Sequence, residues 1–204
     1  MPARRNSVRC FLVTAVLFGS GAALAADPSG PSFSCAGVGP GSIEQMVCTD
    51  PALSALDRKL AGVYGAAAAK AVNERPPVLK AEQRGWIKGR NDCWKADDRR
   101  ACVEEQYRLR IAELQAKHRL VPAIGPVRFA CDGKAANALT ASFFETDPPT
   151  MIAERGDEVS LMVGQPAASG ARYQGRNESF WEHQGEARVT WGYGASEMTC
   201  RKAP

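Results

Sequence analysis

The segment Pro122-Ala123-Ile124-Gly125-Pro126 divides the chain into two halves whose apolar residues follow different periods. Two prolines and a glycine within five residues interrupt a helix, because proline lacks a backbone donor and glycine is a poor helix former. Before this segment the apolar residues recur at helical spacing, and after it they alternate with a period of two. We therefore expect residues 122–126 to link a helical domain, 33–121, to a β domain, 127–204.

The first half carries the start signals and buried stripes of several helices. Ser42 and Gln45 form a capping-box pattern, and Asp50-Pro51 combines an N-cap residue with a proline at the first helical position. A further helix is predicted to open near Asp97-Asp98. The stripe that follows Pro51 is made by residues at 3.6-residue spacing, namely Leu53, Leu56, Leu60, Val63 and Tyr64. These patterns predict a small helical bundle.

The second half contains up to eight short strand-like runs separated by turn residues such as Asp132-Gly133 and Gly156-Asp157. The predicted strands are Val127–Asp132, Ala138–Glu145, Thr150–Glu154, Glu158–Val163, Ala171–Gln174, Glu178–His183, Glu186–Trp191 and Ser196–Arg201. Many short strands at close spacing favour an antiparallel barrel or sandwich. A bond between Cys131 in the first strand and Cys200 in the last would tie the terminal strands together.

The first residues have the pattern of an export signal. Arg4, Arg5 and Arg9 precede an apolar run from residue 11 to residue 18, and Ala23-Leu24-Ala25 has the form of a cleavage site. This pattern predicts a signal peptide over residues 1–25, with cleavage near Ala25. The run is shorter than the roughly 20 residues of a membrane span. We expect a periplasmic or secreted protein without stable membrane insertion.

Six cysteines remain after the predicted signal peptide, and they are Cys35, Cys48, Cys93, Cys102, Cys131 and Cys200. An even number in an exported chain indicates a disulfide framework. The four in the helical half allow three pairings, among which the sequence does not choose. A zinc site is disfavoured, since the sequence has no pair of cysteines with two residues between them. We expect no metal and no cofactor.

Charge and motif content exclude two broad function classes. Residues 27–121 hold fifteen Lys and Arg against twelve Asp and Glu, a net charge of +3, and residues 122–204 hold eight against ten, a net charge of −2. Neither half has the dense basic face of a nucleic-acid-binding protein. The acidic second half suits a cationic partner. The sequence has none of the common hydrolase, P-loop or zinc-protease motifs, so we expect no enzyme activity.

Both halves resemble known families. Residues 127–203 resemble the MliC/PliC lysozyme-inhibitor domain, through Phe129-Ala130-Cys131-Asp132-Gly133, Ala168-Ser169-Gly170-Ala171-Arg172-Tyr173, Phe180-Trp181, Gly185-Glu186-Ala187 and Cys200. Residues 33–117 resemble the LprI-type N-terminal domain, through Cys35, Glu44, Cys48, Leu53, Leu56-Asp57, Leu60, Tyr64, Gln83-Arg84, Trp86, Arg90 and Cys93. Together the two resemblances cover nearly all of the predicted mature chain.

The MliC resemblance implies an eight-stranded antiparallel β-barrel whose ends are joined by a disulfide. The expected fold class is therefore α+β in two domains, a disulfide-stapled helical bundle followed by this barrel. The resemblance also implies inhibition of a host C-type lysozyme. In that mechanism a loop bearing the serine of an S-G-x-x-Y motif enters the lysozyme cleft beside a lysine from a following F-W-x-K-G loop. The corresponding residues are Ser169, Gly170, Ala171, Arg172 and Tyr173.

This sequence departs from that pattern at the lysine. Ungapped alignment places His183 there, and a slip of one residue places Gln184 there instead. We predict that His183 acts as a weaker second contact and that inhibition declines above pH 7, because a neutral imidazole attracts a carboxylate less. Arg172 is a second candidate cation. The rival interpretation is a non-inhibitory envelope binding or structural module. The helical half is expected to be either a second inhibitory module or an envelope interaction module.

Overall fold

The computed structural model describes residues 30–75 and 77–203. The predicted signal peptide lies outside the described residues. The first half forms four α-helices with a short 3-10 helix before the last one. The α-helices are α1 Ile43–Thr49, α2 Pro51–Lys70, α3 Val78–Asn91 and α4 Arg99–Lys117, and the 3-10 helix is Asp92–Lys95. Within the described ranges, no helix is long and apolar enough to span a membrane.

The helices begin where the sequence places capping residues. Ser42 accepts a hydrogen bond from the Gln45 backbone N–H at 3.1 Å, which starts α1. Asp50 accepts from the N–H groups of Ala52 and Leu53 at the start of α2. Asp98 does the same for α4 through Ala101. Each side chain satisfies a backbone donor that has no partner inside its helix.

The helical core is built mainly from apolar side chains of α1, α2 and α4. The largest fully buried side chains of this half are Leu53, Val47, Val103, Tyr107, Ile111 and Leu114. Two disulfides close short loops of this half, Cys35–Cys48 and Cys93–Cys102, and Cys93 is itself part of the core. The first joins the leading segment to α1, and the second joins the 3-10 helix to α4. These bonds constrain the unfolded chain and so support a small core.

The second half forms a closed antiparallel barrel in which each strand pairs with its neighbours in sequence and β1 pairs with β8. The strands are β1 Ala123–Cys131, β2 Lys134–Phe144, β3 Thr150–Arg155, β4 Glu158–Gln165, β5 Ala171–Gln174, β6 Glu178–His183, β7 Glu186–Trp191 and β8 Met198–Lys202. The predicted fold class, a helical bundle followed by an eight-stranded barrel, is confirmed. Closure leaves no sheet edge free for pairing with another chain.

A disulfide lies at the seam of the barrel. Cys131 and Cys200 are direct partners in the pairing of β1 with β8, and their sulfur atoms are bonded. Apolar side chains from all around the wall fill the interior, including Phe129, Leu139, Met151, Met162 and Phe180. The rings of Phe129 and Phe180 meet edge to face, with centroids 5.4 Å apart. This packing holds β6 against β1 across the barrel.

The first strand begins earlier than predicted. β1 starts at Ala123, inside the segment expected to be a linker, because Ala123 and Ile124 pair with Phe144 and Phe143. The register shifts between Ile124 and Val127, so Pro126, which has no N–H to donate, falls at an irregularity in the ladder. The connection between α4 and β1 is therefore the five residues 118–122, and only Pro122 of the predicted linker lies outside the strand.

Helix α4 packs along the outside of the barrel. Ala116 of α4 is buried with Phe144 and Ile152 of the barrel wall, and Arg108 forms an ion pair with Asp147. The first half of α4 lies beside the end of β4 near Gln165, and its last turn lies near the opposite end of the barrel at Arg155 and Glu158. One helix of the bundle thus spans the barrel from end to end.

Candidate functional site

The loop between β4 and β5 carries the predicted serine. It runs from Pro166 to Gly170, and all five of its residues are exposed. Within the part of the chain that the structure describes, the Ser169 hydroxyl has no hydrogen-bond partner. This hydroxyl is therefore available to a partner molecule.

Gly170 holds this loop directly against the backbone of β6. Its φ angle is +72°, and a Cβ atom at this position would lie 2.1 Å from the Glu182 carbonyl oxygen and 3.2 Å from the His183 Cβ. Both the left-handed conformation and the close approach require a residue without a side chain. The loop therefore has little freedom to shift along the barrel wall.

Trp181 fixes the same loop from the outer face of β6. Its indole N–H donates a hydrogen bond to the Ser169 carbonyl oxygen at 3.1 Å. The indole is 40% exposed, so it also presents apolar surface beside the serine. Its polar edge therefore positions the backbone of the residue predicted to contact lysozyme, a role that the sequence motif does not reveal.

The remaining predicted loop residues divide between the two faces of β5. Arg172 is exposed on the outer face, and among the described residues its guanidinium has no ion pair. Tyr173 points inward, where its ring lies 5.6 Å from Phe143 and 6.4 Å from Phe180. Burial raises the pKa of its hydroxyl. Ala171 is half-buried on the same inner face as Tyr173. Ser169, Gly170 and Arg172 are thus presented to solvent, whereas Tyr173 anchors the strand.

His183 lies at the same end of the barrel as the serine loop. It is the last residue of β6, and its ring stacks on that of Trp181 at a centroid distance of 6.3 Å and an angle of 18°. Gln184 and Gly185 form the turn into β7, both with positive φ, and the Gly185 N–H donates to the Glu182 carboxylate at 3.1 Å. The structure therefore brings His183 and Gly170 together. The fourteen residues from Gly170 to His183 run away from this end of the barrel along β5 and return to it along β6.

The strand register adds a cation that sequence reasoning missed. Trp181 pairs with Arg172 on one side and with Arg188 on the other, so these three side chains form a row across the outer wall. Arg188 forms an ion pair with Glu197 at 3.1 Å. A concavity of about 340 Å³ is bounded by this row and the serine loop. The pairing of β6 with β7 brings Arg188 there, which the sequence motif alone does not reveal.

The site has the chemistry of a polar docking surface. It combines a hydroxyl that can donate or accept, a guanidinium that only donates, and an exposed indole face. Such a set complements carboxylates better than it complements a metal ion. Among the described residues, no group of three or more His, Cys, Asp or Glu is placed to hold a metal.

Two family models match the chain, in the order of its two domains. Residues 35–117 match the model described as lysozyme inhibitor LprI, and residues 129–198 match the model described as membrane-bound lysozyme-inhibitor of c-type lysozyme. Among curated proteins, lipoprotein LprI from Mycobacterium bovis and lipoprotein LprI from Mycobacterium tuberculosis are each 34% identical over 161 residues, which cover 78% of this chain and 78% of the relative. The chain belongs to the LprI family.

Both models describe lysozyme inhibitors, and the predicted resemblances to LprI and MliC are confirmed in the predicted order. No solved structure matches the chain.

The motif residues of the LprI half form its polar interior. Glu44 of α1 pairs with Arg90 of α3 at 3.2 Å, and Arg90 donates to the Tyr107 hydroxyl at 2.7 Å. That hydroxyl donates in turn to Asp57 at 2.8 Å.

This network explains why the LprI motif contains charged residues inside a small core. Arg90 is 4% exposed and Asp57 is 7% exposed, so each needs hydrogen-bond partners inside the core. Burial raises the pKa of the bridging Tyr107 hydroxyl well above its usual range, which keeps it protonated as a donor. The network connects α1, α2, α3 and α4. In the LprI half these motif residues therefore hold the four helices together.

Proposed function

We propose that this protein inhibits C-type lysozyme by inserting the serine loop, with Ser169, Gly170 and the adjacent Arg172 facing the enzyme, into the active-site cleft. The observation that carries the proposal is the Ser169 hydroxyl, which is exposed and, among the described residues, has no hydrogen-bond partner, on a loop held by Gly170 and Trp181. The match of residues 129–198 to a c-type lysozyme-inhibitor model supports the choice of target. A preformed loop loses little conformational freedom on binding, which favours affinity.

The chemistry of the target suits this loop. A retaining glycosidase, of which lysozyme is the type case, holds two carboxyl groups about 5 Å apart and keeps one of them protonated near neutral pH. The Ser169 hydroxyl can accept from the protonated carboxyl and donate to the ionised one. Occupation of the cleft by the loop also excludes the sugar substrate.

Arg172 supplies the positive charge that the missing lysine would otherwise provide. Its guanidinium lies on the outer face three residues after Ser169, and an arginine can bind a carboxylate through two parallel hydrogen bonds. His183 is the second cation of this site, and it adds charge only when its imidazole is protonated. Two contacts of different pH dependence thus stand where the MliC pattern has one lysine.

The rival function is a non-inhibitory binding module of the cell envelope. The observation in its favour is the stacking of His183 on Trp181, which gives that imidazole a structural role in place of the missing lysine. The inhibitor function is better supported, since Ser169, Gly170 and Arg172 all remain exposed at one place. We place the protein in the periplasm or outside the cell, where it would protect peptidoglycan from a host lysozyme.

Clearance of a Gram-positive cell suspension by C-type lysozyme tests this proposal. The full mature chain is compared with its Ser169→Ala variant and with Ser196→Ala as the matched control. Ser196 is an exposed serine in the loop between β7 and β8, at the opposite end of the barrel. The proposal requires inhibition by the wild type and by Ser196→Ala, with a clear loss for Ser169→Ala. Inhibition by none of the three would favour the rival function.

A further inference from the structure

A groove between the two domains opens beside the serine loop. It has a volume of about 840 Å³ and lies between the first half of α4 and strands β4 and β5. Its walls include Glu104, Glu105, Leu109, Gln165 and Pro166. Both domains therefore build it.

The groove is continuous with the proposed inhibitory site. Pro166, the first residue of the serine loop, lines the groove on one side and the concavity of Ser169, Arg172 and Trp181 on the other. The loop is therefore a ridge between two depressions. If a protein binds this ridge in its own cleft, one edge of that cleft lies against the groove.

The groove is acidic. Glu105 is exposed and, over the residues that the structure describes, has no ion-pair partner. Glu104 and Asp50 share Arg100, and Asp147 pairs with Arg108. The lining of the groove itself holds Glu104 and Glu105 against one arginine, Arg108, an excess of one negative charge. A surface with this excess attracts a cationic partner and speeds its approach.

We propose that this groove is a second contact surface for the same lysozyme molecule, in which Glu105 takes a basic side chain from the rim of the enzyme's cleft. The inference rests on the proposed function, since the serine loop sets which rim lies over α4. It gives the helical domain a direct part in inhibition, through its fourth helix and not through its buried charge network. The two halves of the chain then form one bipartite inhibitor.

Binding of C-type lysozyme to the full mature chain tests the proposal, with wild type, Glu105→Lys, Glu105→Gln, Asp157→Lys and Ser169→Ala compared at low and high ionic strength. Asp157 is the matched control, because it is exposed in the turn between β3 and β4 at the far end of the barrel. Thermal unfolding of each variant confirms that it is folded.

At low salt we expect Glu105→Lys to weaken affinity about three- to tenfold and Glu105→Gln to weaken it less. Asp157→Lys should stay within about twofold of wild type, and added salt should shrink the Glu105 effects. Equal affinities of Glu105→Lys and Asp157→Lys would overturn the groove contact while leaving the loop mechanism intact. If Ser169→Ala bound lysozyme as tightly as the wild type while Glu105→Lys bound it more weakly, the loop mechanism alone would be contradicted. Absence of binding by the wild type would overturn both.

Discussion

The indole N–H of Trp181 in β6 donates a hydrogen bond to the carbonyl oxygen of Ser169, which lies twelve positions earlier in the loop between β4 and β5. The bond is made to the backbone, so it orients the serine without occupying its hydroxyl. Trp181 is therefore a positioning residue of the proposed inhibitory loop. The F-W pair of the motif can then be explained by two tasks, since Phe180 fills the barrel and Trp181 holds the loop.

Replacing Trp181 by Phe tests this positioning role. Phenylalanine keeps an aromatic ring beside the loop but removes the donor to Ser169. A hydrogen bond of this kind contributes about 1 kcal/mol, so inhibition should weaken about fivefold while the barrel remains folded. Lysozyme inhibition constants and thermal unfolding measure the two effects separately. Unchanged inhibition by Trp181→Phe would show that the bond does not position the loop.

Replacing Gly170 by Ala should displace the whole loop. The new methyl group would meet the Glu182 carbonyl oxygen at 2.1 Å, a distance that the backbone must relieve by moving. We expect Gly170→Ala to reduce inhibition at least as much as Ser169→Ala. Gly156→Ala is the control, since Gly156 has a similar positive φ of 59° but no atoms within 4 Å of the added Cβ. Equal inhibition by the two glycine variants would contradict a tightly held loop.

The two cations of the site should differ in their pH dependence. A neutral imidazole attracts a carboxylate less than a protonated one does, whereas a guanidinium stays charged throughout the accessible range. Loss of His183 in His183→Gln should therefore weaken binding near pH 5.5 and leave it unchanged near pH 8.5. Arg172→Gln should weaken binding at both. Lysozyme affinity measured across this range checks the difference, and parallel curves for wild type and His183→Gln would exclude a charged role for His183.

Asp50 makes the stability of the helical domain depend on pH in the acidic range. The backbone N–H of Leu53, together with Arg100, lowers the pKa of its carboxyl below the ordinary value of 3.8. The stabilisation is therefore present above pH 3.8 and is lost as pH falls through the lowered pKa. Asparagine still caps a helix but carries no charge. At pH 6, Asp50→Asn should unfold at a lower urea concentration than the wild type. The difference between the two unfolding midpoints should become smaller towards pH 2. A gap independent of pH would contradict this account.

The two periodicities were sufficient to predict the domain order and most elements. Strands β5, β6 and β7 have the predicted bounds, because each is a short alternating run between turn residues. The start of β1 was not predictable, since Ala123 and Ile124 belong to the strand only through pairing with β2 across an irregular register. Arg188 was missed for a similar reason. Its place beside Trp181 depends on the pairing of β6 with β7, and a linear motif contains no such information.

The disulfide pairing illustrates the same limit. Four cysteines in the helical half allowed three arrangements, and only the folded chain distinguishes the local pairs Cys35–Cys48 and Cys93–Cys102 from the alternatives. The contacts among the LprI motif residues Glu44, Asp57 and Arg90 were likewise not predictable from the sequence. These residues are separated by up to 46 positions, and Tyr107, which lies outside the motif, joins Arg90 to Asp57.

The most direct test of the account is the inhibition constant of the full mature chain against C-type lysozyme, measured beside Ser169→Ala and the control Ser196→Ala. A hydroxyl that donates to an ionised carboxylate in a closed cleft contributes about 1.5–3 kcal/mol, so the account predicts a loss of at least about tenfold for Ser169→Ala. Ser196→Ala should match the wild type. Inhibition by Ser169→Ala equal to that of the wild type would contradict insertion of this loop as the inhibitory mechanism.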